Sequence, residues 1–227
     1  MSDHPTLDAS TPDAGQWPAR APQLAGAVDF TMMFAAHDAF TRHLRRLRHA
    51  CGHDRILTPR GMDSWRGFTR QLHLHHTTED TALWPPLRER LATAGGLADL
   101  AVLDDMEREH LGLDPLLDRV EAALAARDAA AVADLLGVLT ANLTEHMRHE
   151  ERAALPLIER HLGAAGWAAF ERSMRRTQGL RGASTYLPWL LDGAPAATQA
   201  AVQARLPAPA RLLNRRVWTP RYRRSGS

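Results

Sequence analysis

The chain has no lysine, a single cysteine and no long apolar run, and each absence removes a class of protein. All 28 basic residues are arginine, set against 26 acidic residues for a formal net charge of +2. No global basic field therefore points to nucleic acid, and the lack of lysine has its simplest source in a GC-rich genome. One cysteine, Cys51, excludes an internal disulfide and fits a reducing compartment. The longest apolar stretches fall well short of the ~20 residues needed to cross a bilayer. The opening residues, MSDHPTLDASTPDAGQWPAR, show no apolar segment behind a basic one, so no secretory signal is visible. A soluble, cytoplasmic protein without a membrane partner is expected. Hydrophobic residues, at 44%, suffice for an ordinary core, and 227 residues suit one domain with tails.

What the chain does have is histidine in a pattern. Two stretches, HHTTEDTALWP and EHMRHEERAALP, each place a histidine and a glutamate four residues apart, ahead of a proline. They are His75, Glu79 and Pro85 in the first, and His146, Glu150 and Pro156 in the second. A shift of 71 positions superposes all three, and carries Leu72 onto Leu143, Phe68 onto Leu139, Leu87 onto Ile158 and Leu91 onto Leu162. Residues four apart share one helix face, so each copy aims an imidazole and a carboxylate the same way. Two such helices face to face would supply four converging metal ligands.

Apolar periodicity predicts four helices. The first, over about 27–50, carries Phe30, Phe34, Phe40, Leu44 and Leu47, with His37 in the same stripe. His43 and His49 project to either side of it and are expected to face solvent. The second, capped by Asp63 and ended or kinked at Pro85-Pro86, turns Trp65, Phe68, Leu72, His75, Glu79 and Leu83 inward. A third spans about 97–126, with Leu103, Met106, His110, Leu117, Val120 and Leu124 inward. A fourth covers about 129–162, with Val132, Leu135, Leu139, Leu143, His146, Glu150 and Leu157 inward and an interruption at Pro156. Short connections and no strand pattern make this an all-α chain, expected to form an antiparallel up-down four-helix bundle. Residues 1–26, rich in Pro, Asp, Ala and Ser, read as disordered or loosely packed. Residues 27–163 form the bundle, and 164–227 a helical or irregular extension packed on it, ending in an Arg-rich tail.

Each predicted helix thus carries a histidine in its apolar stripe: His37, His75, His110 and His146. A lone stripe histidine is ordinarily a hydrogen-bonded core residue. One on each of four helices, two of them followed by a glutamate, points to a shared site. A buried carboxylate needs a compensating charge, and no stripe arginine stands ready for Glu79 or Glu150. A metal supplies that charge. Imidazole and carboxylate without thiolate suit iron or manganese better than structural zinc. The expected arrangement is dinuclear, with His75 and Glu79 on one side, His146 and Glu150 on the other and the glutamates bridging. His37 and His110 complete the two coordination sets. His76 with Asp80 repeats the four-residue spacing, but the 71-residue shift carries His76 onto Met147. Its place at the stripe edge predicts an outer or surface position, and His73 and His149 are expected to be exposed. Asp114 has two readings: a seventh ligand one turn after His110, or the N-cap of a helix starting at Pro115.

These segments resemble the hemerythrin-like, HHE cation-binding family of non-haem di-iron four-helix proteins. The likeness rests on His37 in AAHDAF, on the two repeated segments and on His110 in EREHLGLD, and covers about residues 27–163. It implies two iron ions bridged by two carboxylates and by a solvent-derived oxygen. His37 and His75 would be terminal ligands of one iron, His110 and His146 of the other, and Glu79 and Glu150 the bridges. Oxygen-carrying members have a further histidine one turn after the residue matching His110, where this chain has Asp114. Their second bridge also comes five residues after the histidine matching His146, whereas Glu150 comes four after. Both departures place the chain among the broader HHE proteins.

The resemblance implies binding of O₂ or a related small ligand, peroxide or nitric oxide, at an open iron position. An alternative is an enzyme at the same centre, decomposing peroxide or removing nitric oxide. Another is an iron or oxygen sensor acting through a protein partner, with the Arg-rich C-terminus as its output.

Overall fold

The computed structural model describes Arg20 and residues 26–52, 55–94 and 96–224. Apart from Arg20 and Gly26, the segment expected to be loosely packed lies outside the described residues. All regular structure among the described residues is helical. Helix α1 (Thr31–Cys51) opens beside Asp29, whose carboxylate accepts from the Thr31 N–H at 3.0 Å. Helix α2 (Pro59–Ala82) starts earlier than the Asp63 cap predicts. Thr58 caps it, accepting from the Gly61 N–H at 3.2 Å, and Pro59 occupies the first position, where no N–H is needed. Gly61 is required there, because a Cβ would sit 2.4 Å from the Arg55 carbonyl oxygen of the preceding 3-10 turn.

Helix α3 (Trp84–Thr93) resumes directly after α2, with Pro85 and Pro86 in its first turn. Helix α4 (Leu97–Ala125) runs unbroken through Asp114-Pro115. Helix α5 (Ala129–His149) is capped by Asp128 through the Ala131 N–H. It passes into a π-helical turn at Glu150–Ala154, then α6 (Leu155–Leu157) and a second π turn at Ile158–Leu162. Pro156 is the cause of the first: it has no N–H and its ring crowds the carbonyl one turn back. The ladder widens, and the Leu155 N–H bonds to Glu150, five residues earlier.

Helices α1, α2, α4 and α5 pack in a closed ring, α1 and α4 each touching both α2 and α5. The interior holds two apolar clusters. One gathers Phe40, Leu44, Phe68, Leu72, Leu139 and Leu143, the other Phe34, Trp84, Leu87, Met106, Leu155 and Ile158. Between the clusters every helix of the ring switches to titratable groups. His37 falls between Phe34 and Phe40, His75 and Glu79 between Leu72 and Leu83, His110 between Met106 and Leu113, and His146 and Glu150 between Leu143 and Ala154. Buried there, these groups must satisfy one another or a cation.

Helix α7 (Gly163–Leu191) covers α1 and α2 and bends at Gly179, whose φ of 57° only glycine adopts at low cost. Helices α8 (Ala196–Arg205) and α9 (Ala208–Leu213), a π turn (Asn214–Trp218) and α10 (Thr219–Arg224) complete the cover. This cover corrects the solvent-facing expectation for His43. The ring is buried, stacks on Trp189 with centroids 4.6 Å apart, and donates from Nε2 to the Trp189 carbonyl at 3.1 Å. Arg42 donates to the carbonyls of Leu190 and Asp192, and Arg46 pairs with the Asp192 carboxylate. Three basic side chains of α1 thus bond the carbonyls and the Asp192 carboxylate at the end of α7.

Burial, reinforced by Arg46 and Arg42, pushes the His43 pKa down to about 4. The unfolded chain, with an ordinary histidine near 6.5, takes up this proton first. The stability that His43 confers is therefore complete above pH 6.5 and lost as pH falls toward 4, a change of about 3 kcal/mol. In thermal unfolding from pH 7 to 4, the advantage of wild type over His43→Phe is expected to shrink across this window. A pH-independent difference would remove His43 from the account. No described helix is long and apolar enough to cross a membrane.

Candidate metal centre

Helical spacing brings seven titratable side chains to the gap between the apolar clusters. α1 contributes His37, α2 His75, His76 and Glu79, α4 His110, α5 His146 and the π turn that follows it Glu150. All are buried, Glu79 and Glu150 completely. Six of them form two groups, His37, His75 and Glu150 in one and His76, His110 and His146 in the other. Within each group the ligand atoms lie within 4.8 Å of one another. Glu79 faces both: its Oε1 is 3.1 Å from His75 Nε2 and its Oε2 3.7 Å from His110 Nε2. Glu150 Oε2 lies 3.1 Å from His37 Nε2.

The outward nitrogens of three rings are already committed. His37 Nδ1–H donates to Glu151, His110 Nδ1–H to Asp80 and His146 Nδ1–H to Glu109, each at 2.8 Å. A carboxylate only accepts, so a neutral ring keeps its proton on Nδ1 and turns a bare Nε2 lone pair inward. Glu109 also accepts from His149, and Arg20 holds Glu151. The inward atoms, by contrast, have no hydrogen-bond partner. This is true of His37 Nε2, His75 Nε2 and all four carboxylate oxygens of Glu79 and Glu150. His110 Nε2 and His146 Nε2 face each other at 3.1 Å. Two ligands about 2.1 Å from one metal ion, at right angles, stand about 3 Å apart. Lone pairs at that spacing repel one another alone and are held together by a cation.

The titration properties agree. Burial pushes His75 and His76 well below the usual histidine range, with the neighbouring rings adding to the effect. Burial, then Glu150 and Asp80, push the Glu79 carboxyl well above its usual range. Burial opposes charge on His37, but Glu150 and Glu151 outweigh it and raise its pKa to about 9. Burial likewise works against the Glu151 charge, yet His37 and Arg20 hold its carboxyl at about 2. The imidazoles of α2 are thus ready to coordinate, and an entering cation would release the Glu79 and His37 protons.

The structure brings His37, His75, Glu79, His110, His146 and Glu150 together and leaves Asp114 out. Asp114 is exposed on α4, and the N-cap reading fails too, because the helix continues through it. His76 occupies the opposite position from the one expected: it is buried and stacks on His110 with ring centroids 4.0 Å apart. The inward ring that α4 does not supply from position 114 comes instead from α2. His149 is half-buried against Glu109 rather than exposed. In the sequence Asp80 stands out only as a partner of His76, and Glu109, Glu151 and Arg20 do not stand out by themselves. For two of them a signal was present, since the 71-residue shift that superposes the ligands also carries Asp80 onto Glu151. Arg20 carried none. It is buried against Asp38 and Glu151, and its guanidinium lies 4.7 Å over the Phe34 ring.

The family model of the hemerythrin HHE cation-binding domain matches residues 28–158. The chain belongs to this family. No curated protein and no solved structure matches it significantly. The hemerythrin HHE match contains all seven side chains of the centre and the three carboxylates that orient them, while Arg20 and the whole α7–α10 cover fall outside. Imidazole nitrogens and carboxylate oxygens, converging in a buried layer, fit a metal-cation site of the HHE kind.

Proposed function

We propose that this HHE protein is an antiparallel up-down four-helix bundle of α1, α2, α4 and α5 that holds two iron ions. In this reading it binds O₂, or a related small ligand such as peroxide or nitric oxide, between them. His37, His75 and Glu150 would hold one ion and His76, His110 and His146 the other, with Glu79 spanning the pair. Glu150, whose Oε2 lies 3.1 Å from His37 Nε2, would hold the first ion and would serve as a second bridge. The observation carrying the reading is the orphaned state of Glu79: both oxygens are buried without a partner, one beside each histidine group.

Ferrous iron with an open position binds and reduces dioxygen, the chemistry such a centre supplies when loaded. The chain's own residues do the rest. Asp80, Glu109 and Glu151 hold three imidazoles in the tautomer that presents Nε2, an outer support whose loss typically weakens metal binding 10- to 100-fold. The two apolar clusters exclude water from either side of the polar layer, and the mixture of nitrogen and oxygen donors favours iron or manganese over a thiolate-loving ion.

Anaerobic loading with ferrous iron, followed by O₂, peroxide and nitric oxide in turn, tests the proposal. About two ions per chain and a new near-ultraviolet absorption after O₂ are expected. A protein that takes up no iron and loses no stability without it would overturn the assignment. Sustained oxygen evolution from peroxide would move the reading to a peroxide-decomposing enzyme.

A further inference from the structure

Where α7 and the C-terminal arm fold over α1 they enclose a cavity of about 700 Å³. Its walls are apolar, with Met33, Phe170, Met174, Leu187, Leu206 and Trp218 among them. Well-packed interiors leave few voids larger than a water molecule, whereas small-molecule sites occupy roughly 300–1,000 Å³ and add a few polar groups to apolar walls. The polar groups here are unevenly placed. At the inner end stands His75, a buried residue of the metal centre, and at the outer end stand Arg175 and Arg205.

The two arginines at the outer end are unequally paired. Glu171 is the one carboxylate among the described lining residues, and it is shared between Arg205 at 2.9 Å and Arg175 at 3.7 Å. Arg205 is further engaged by Asp29. Arg175, with its side chain 64% exposed, keeps most of its N–H donors free for an incoming anion. The arm itself, residues 193–227, carries seven arginines and no acidic residue. An apolar cavity with an exposed arginine at its mouth is complementary to a molecule with one apolar chain and one anionic end.

We propose that this cavity binds a long-chain carboxylate, its head at Arg175 and its chain running inward to end against His75. The proposal goes beyond the metal reading and does not depend on it, since the cavity walls belong mainly to α1, α7 and the arm. It gives the C-terminal extension a role: to shape a ligand site whose inner end meets the centre.

Titration of the full-length protein with carboxylates from C8 to C16, followed by intrinsic tryptophan fluorescence, tests this, with iron content measured on the same samples. Saturable one-to-one binding is expected, tightening about fourfold per methylene until the cavity is full. Dodecanol should bind at least about tenfold more weakly than dodecanoate, and Arg175→Glu should erase that difference. Ala183→Trp, which fills the cavity from α7, should weaken dodecanoate binding at least about tenfold at unchanged iron content. Affinity independent of chain length would overturn the proposal, as would binding that survives both variants. Attachment to phosphatidylglycerol vesicles without uptake of free dodecanoate would also overturn it and assign the arginines of the arm to a membrane surface. Because iron is measured in parallel, failure of the ligand site and failure of the metal centre are distinguishable.

Discussion

Glu79→Gln is expected to abolish metal loading, from about two ions per chain to nearly none, while leaving the fold intact. Glu79 is the one side chain whose two oxygens face both histidine groups, so neutralising it removes an anionic donor from each ion at once. Glutamine keeps the shape, and any loss is then electrostatic rather than a cavity effect. The same variant should have the opposite effect on metal-free protein. The Glu79 carboxyl is held well above its usual range by burial and by Glu150, so metal-free wild type loses stability as pH rises from about 4.5 through the raised value. Glu79→Gln has no charge to bury and should be more stable than metal-free wild type at pH 8, by on the order of 2 kcal/mol. Metal analysis and thermal melts with and without chelator check both halves. A variant that still binds two ions, or that is destabilised in both states, would remove Glu79 from the bridging role.

His76→Ala is expected to lower loading from about two ions to about one, and Asp114→Ala to change nothing measurable. His76 completes the three-histidine group with His110 and His146, and it packs flat against His110. Its removal deletes a donor and loosens a second ring. Asp114 is exposed and belongs to neither donor group, so its loss resembles any surface substitution. The comparison is sharp because helical spacing alone ranks the two the other way. Loss of an ion from Asp114→Ala with full loading of His76→Ala would show that α4, not α2, supplies the extra ligand.

Why His76 and Asp114 exchange places is a matter of geometry. His76 follows His75 and lies about 100° round the helix from it, at the border between core and solvent. Periodicity cannot decide a border position; the neighbouring helix does, and α4 happens to bring His110 against it. Asp114-Pro115 has the local signature of a helix start, yet α4 passes through it. The carbonyl that loses its donor to Pro115 belongs to Leu111, which is 71% exposed, so water can satisfy it. His43 departs from its periodicity for a related reason. Its side of α1 is polar in pattern, and only the docking of Trp189 from 146 residues further along the chain buries it.

The repeated histidine–glutamate pair, the four stripe histidines and the all-helical character follow from the sequence by itself, because a helix converts spacing into facing without outside help. The 71-residue repeat even held the two orienting carboxylates Asp80 and Glu151, since the same face recurs in both copies. What only the tertiary structure decided is everything that depends on which helix lies next to which. That includes the division of the ligands into two groups, the entry of His76, the exclusion of Asp114, the burial of Arg20 beside Glu151 and the cavity under the C-terminal arm. Contacts of this kind join residues far apart in the chain, and no local period encodes them.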